Sequence, residues 1–149
     1  MVERVSRVRR QIVQHDPDPC AIHCPVMVVA AFVILGVVVL LGSVLAVLHL
    51  RVNAATTPSW PLAALHGLLA IGGLCCLALA LGGPPRGLDQ GTASFGIIAT
   101  AMIALAALVG AGLLAARVLK RRIAGIMIGI HATLAVSGFV ILAAYVFAG

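Results

Sequence analysis

Long apolar stretches alternate with short polar ones along the chain, and their lengths decide what they are. Four apolar runs occupy about 26–50, 61–83, 93–116 and 123–148. Roughly 20 apolar residues carry a helix across the hydrocarbon of a bilayer. The runs lack the period-two alternation of barrel strands, and lipid admits only structures that satisfy their own backbone groups, so each run is expected to be a helix. The expected fold is all-α, a bundle of four transmembrane helices within residues 26–149, behind a polar arm at 1–25.

The polar stretches fit this division. In the arm, Val2, Val5, Val8 and Ile12 fall near one helical face with arginines mostly around it, as in a short helix lying along a membrane surface. "DPDPC" interrupts it, because each proline removes a donor and restricts the residue before it. "NAATTPSWP" turns the chain between the first two helices, with Trp60 suited to the interface and Pro61 to a first helical position. "GGPPRGLDQGT" and the basic "RVLKRR" make the other two connections. The first run is too long, and stands too far behind its basic segment, for the core of a cleaved signal, so a retained span is expected.

Composition sharpens the picture. Of 149 residues, 62% are hydrophobic and 9% charged, against about a quarter charged in a soluble domain. The formal charge of +6 sits mostly in two clusters, Arg4/Arg7/Arg9/Arg10 and Arg117/Lys120/Arg121/Arg122. Beside apolar spans such clusters set topology and meet anionic headgroups, and no basic domain face is left for nucleic acid. The two clusters compete, since the second lies in a short loop and the first resists translocation. The balance leans towards termini on the outer side.

One phrase occurs twice. "HGLLAIGGL" starts at His66 and "HATLAVSGF" at His131, and the match continues through Leu77/Leu142 and Ala78/Ala143. Both copies lie on even-numbered helices, so they run in the same direction. A duplicated helical hairpin explains this, giving two parallel hairpin repeats about an axis along the membrane normal. The odd-numbered helices add only a match of Phe32 with Phe95. Within each copy the histidine, an alanine and Gly73 or Gly138 share a face, and Gly125 and Gly129 form a Gly-x-x-x-Gly pair; these four glycines are the expected helix-packing positions. His66 and His131 should lie roughly 8 and 12 Å below one surface, the surface that also carries His49 and the second basic cluster.

Three readings of these histidines compete. In the first, each donates to a backbone carbonyl or polar side chain across the bundle, a bond contributing about 1 kcal/mol or less. In the second, His66 and His131 ligate one b-type haem, with arginines near its propionates. In the third, His49, His66 and His131 hold a metal ion or relay protons. No span contains a carboxylate, which counts against proton-coupled transport. A further set, Cys20, His23 and Cys24 with His15 or Asp18, offers zinc or copper ligands at irregular spacing; a cystine or a plain juxtamembrane turn is the alternative. With Glu3, Asp16, Asp18 and Asp89 as the only acids, and no phosphate loop or nucleophile elbow, an enzyme acting alone is not expected.

"PPRGLDQGTASFGIIAT" and "GIHATLAVSGFVILAAYV" resemble a group of small bacterial four-helix integral membrane proteins, over roughly residues 27–149. The resemblance implies the bundle and the bacterial inner membrane, and brings no activity with it. Paired histidines on even-numbered helices are also similar to the plan of four-helix b-type cytochromes, without the further histidines and lining aromatics of that plan. The expected role is a non-catalytic membrane subunit or scaffold, a homo-oligomer or part of a larger complex. A bis-histidine haem subunit is the alternative, followed by a small transporter.

Overall fold

The structure, a computed structural model, describes residues 19–51, 60–83, 88, 91–121 and 125–148, with side chains given from Val26 to His49 in the first helix and as far as Phe147 in the last. It contains four helices: α1 (Pro19–Arg51), α2 (Trp60–Leu81), α3 (Phe95–Val118) and α4 (Gly125–Ala148). Each includes a stretch long and apolar enough to cross a membrane, and no described residue is in a strand. The architecture is that of a multi-pass membrane bundle.

The helix ends follow local chemistry. Three helices start and finish within about two residues of the apolar runs, whereas α1 starts at Pro19, inside the stretch assigned to the arm. Apolarity marks only the part of a helix that lipid surrounds, and a proline is tolerated at a first turn where its missing donor is not needed. Pro25 also lies within α1 rather than before it. Gly82 and Gly83 close α2, their amides donating to the carbonyls of Leu79 and Ala80. α3 ends in a Schellman turn, in which Arg121 N–H donates to Ala116 at 2.8 Å and Lys120 N–H to Arg117 at 3.0 Å. Glycine usually takes the left-handed position of this turn, but here Lys120 occupies it, with φ 51°.

The helices form a closed ring in which each packs on its two neighbours, and no backbone approach links α1 to α3 or α2 to α4. The most extensive interfaces are those within the hairpins, α1 with α2 and α3 with α4. The core is contributed by Val28, Ala31, Leu35 and Val38 of α1, and by Gly96, Ala99, Ile103 and Ala106 of α3. From α2 it takes Gly73, Leu77 and Ala80, and from α4 Gly138, Leu142 and Tyr145. The spacings along α1 and α3 are identical, as are those along α2 and α4. By this burial pattern Phe32 corresponds to Thr100, not to Phe95. Its ring instead stacks on Phe139 at 5.1 Å and meets Phe147 edge-on at 5.7 Å, sealing α1 against α4.

All of this core occupies one half of the bundle. In the other half, between the histidines and the basic hairpin, no described residue is fully buried. His66 follows the first residue of α2, and His131 the first residue of α4, by the same number of positions. The two therefore occupy the same position counted from the start of their helices.

Candidate functional site

The site starts from a gap on α1. In a helix the side chain four residues on stands over a given carbonyl, because Cβ tilts towards the N-terminus. Four residues after Val38 comes Gly42, which leaves that carbonyl open to a neighbour. His66 of α2 enters there, its Nδ1 lying 3.1 Å from the Val38 carbonyl oxygen. A Cβ at Gly42 would approach His66 Cε1 to 3.0 Å. A carbonyl only accepts, so Nδ1 carries the proton and donates; in the neutral ring Nε2 keeps its lone pair.

The second hairpin repeats the arrangement. His131 Nδ1 donates to the Ala106 carbonyl at 2.8 Å, and a Cβ at Gly110 would approach His131 Cε1 to 2.9 Å. The two clasped rings then meet each other, with centroids 6.1 Å apart and planes crossing at 73°. The backbones of α2 and α4 stay apart, and these imidazoles meet across the diagonal between them. Both side chains are half-buried, and among the described residues neither Nε2 has a hydrogen-bond partner.

No family model, curated protein or solved structure matches this chain.

The other expected site residues divide clearly. Gly73 and Gly138 are close-packing positions: a Cβ at Gly73 would lie 2.8 Å from Leu35 Cγ, and one at Gly138 would lie 2.8 Å from Ile103 Cγ1. Gly125 and Gly129 are not packed within the chain. Both are exposed, with nothing within 4 Å of an added Cβ, because their side of α4 faces away from the ring of helices. His49 is exposed and does not join His66 and His131; no described group of three or more His, Cys, Asp or Glu side chains could hold a metal ion. The side chains of Cys20, His23 and Cys24 lie outside the described residues. Cys75 and Cys76 are free thiols on α2.

Sequence reasoning missed Gly42 and Gly110, the residues that admit the histidines. Among 16 glycines neither stands out. Their signal was a matched spacing, Val28/Ala31/Leu35/Val38/Gly42 against Gly96/Ala99/Ile103/Ala106/Gly110, which the rarer aromatics Phe32 and Phe95 drew attention away from.

Proposed function

We propose that the protein is a non-catalytic multi-pass subunit of the bacterial inner membrane, built from a duplicated hairpin and serving as a scaffold for itself or a larger membrane complex. The observation that carries this reading is the pair of clasps. The two repeated histidines, His66 and His131, each donate to a carbonyl of the preceding helix, and both do so over a glycine. These two rings thus serve to hold each hairpin together. The matched burial along both hairpins supports the duplication. The bare surface at Gly125 and Gly129 supports an external helix as the partner, since small residues let membrane helices approach closely.

The test is the size of the particle in mild detergent and after crosslinking in intact membranes. Wild-type protein is expected in assemblies larger than one chain. Gly125→Leu together with Gly129→Leu should release the single chain without disturbing its helical content. A wild-type protein that is a single chain under both conditions would overturn the scaffold reading.

A further inference from the structure

One buried polar group in the core has no partner. Tyr145 of α4 is 3% exposed, and among the described residues its hydroxyl makes no hydrogen bond. A buried hydroxyl is nearly always bonded, to the chain itself or to something the chain binds.

The duplication shows that packing does not require this phenol. In the first hairpin the positions equivalent to Gly96 and Tyr145 hold Val28 and Ala80, and both are buried. A valine and an alanine fill that seam without a polar side-chain atom. The second hairpin fills it with a glycine and a tyrosine, which adds a hydroxyl.

The ring leads to the start of α3. A Cβ at Gly96 would lie 3.0 Å from Tyr145 Cζ, the carbon that carries the hydroxyl. Gly96 is the second residue of α3, and the first turn of a helix leaves amides without acceptors and carries partial positive charge. Here Phe95 N–H donates to the Thr92 carbonyl and Ile98 N–H to that of Ser94. Among the described residues Gly96 N–H and Ile97 N–H have no acceptor. Ser94 stands at the cap position with a helical backbone, and its hydroxyl caps neither amide. Two amides, a serine hydroxyl and a buried phenol thus occupy one helix end, and no described residue is a carboxylate.

Depth and donor chemistry name the ligand. The apolar span of α3 begins at Phe95, so this turn stands where hydrocarbon gives way to headgroups. A phosphate oxygen accepts both from the amides of a helix N-terminus and from hydroxyls. Ser94 and Ile97 are exposed, which leaves the turn at the protein surface.

We propose that the first turn of α3 and Tyr145 form a phosphate-binding site, with Gly96 N–H, Ile97 N–H and the hydroxyls of Ser94 and Tyr145 as its donors. The phosphate is that of a phospholipid headgroup or of the free ion; the recognising chemistry is the same.

Tyr145 is the only tyrosine of the sequence, so tyrosine labelled with carbon-13 at Cζ reports on this hydroxyl alone. Full-length labelled protein in a phosphate-free maltoside detergent would be titrated by NMR with inorganic phosphate, with phosphatidylglycerol, and with monoolein, a lipid without phosphate. A saturable shift is expected with at least one phosphate-bearing ligand and not with monoolein. A response to inorganic phosphate identifies a site open to the free ion, and a response to phosphatidylglycerol alone identifies a headgroup site. Tyr145→Phe should weaken retention of the responding ligand, measured by native mass spectrometry or equilibrium dialysis, by about fivefold, the worth of one hydrogen bond. In phosphate-free detergent the same variant should unfold no more readily than the wild type, since no bond within the chain is lost. No saturable shift with either phosphate-bearing ligand, an equal shift with monoolein, or retention unchanged in Tyr145→Phe overturns the proposal. So does a Tyr145→Phe protein that unfolds more readily without phosphate, because the hydroxyl would then already be bonded within the chain.

Discussion

Adding one methyl group at Gly42 sets two opposing effects against each other. Alanine is favoured over glycine inside a helix by about 1 kcal/mol, and nothing but an imidazole edge stands in the way. That edge is not free to retreat. A Cβ would sit 3.0 Å from His66 Cε1, and the His66–Val38 hydrogen bond is already 3.1 Å long. Moving the ring by a few tenths of an ångström takes the bond to the limit of useful length. Stranding its donor away from water costs about 1–3 kcal/mol. Gly42→Ala should therefore destabilise by about 1 kcal/mol after the helical gain is subtracted. Gly110→Ala should cost somewhat more, since its Cβ would approach His131 to 2.9 Å and the bond at stake is the shorter one, 2.8 Å. Gly72→Ala and Gly112→Ala are the controls, with nothing within 4 Å of the added carbon. They should stabilise by about 1 kcal/mol, leaving a gap of about 2 kcal/mol between the two classes. Equilibrium unfolding in mixed detergent micelles, followed by circular dichroism, measures it. A double-mutant cycle isolates the cause: in a His66→Ala background the Gly42→Ala cost should vanish. If all four alanine substitutions behave alike, or the cycle is additive, the clasp argument is wrong.

Three further outcomes follow from the packing. Gly138→Ala should be more destabilising than Gly73→Ala, with a difference of about 1 kcal/mol in the same unfolding assay, because its Cβ would meet the Ile103 backbone nitrogen at 3.3 Å whereas Gly73 faces only side chains. Gly96→Ala should destabilise by about 1–3 kcal/mol, since an added Cβ would lie 2.6 Å from Leu81 Cδ2 and 3.0 Å from Tyr145 Cζ; unchanged unfolding would show that this seam yields. Lys120→Gly should stabilise by about 1 kcal/mol by relieving the left-handed residue of the Schellman turn, and a loss of stability would mean that the lysine side chain contributes more than its backbone strain costs.

The helices were legible because lipid imposes one strong rule, continuous apolarity, and the sequence obeys it four times. The start of α1 was not, because residues 19–25 are helical without being apolar enough to reveal it. His66 and His131 were legible as a pair through the words around them. Their hydrogen-bond acceptors were not, since a carbonyl belongs to every residue and only the missing Cβ at Gly42 and Gly110 makes two of them available. The Gly125/Gly129 pair was legible only as a packing motif. Its spacing promises a close-packed helix, but spacing does not say whether the partner belongs to the same chain.

Both clasps close within a hairpin, joining α1 to α2 and α3 to α4, and none of these bonds crosses between hairpins. The widest seams lie in the same places. Each pair of helices therefore carries its own fastening into the bilayer, and the first can be finished while the second is still on the ribosome. Neither clasp involves the stretch between Leu81 and Phe95. A chain divided there into two separately translated pieces should still assemble, with the aromatic contacts of Phe32 and the meeting of the two imidazoles as the last joints to form.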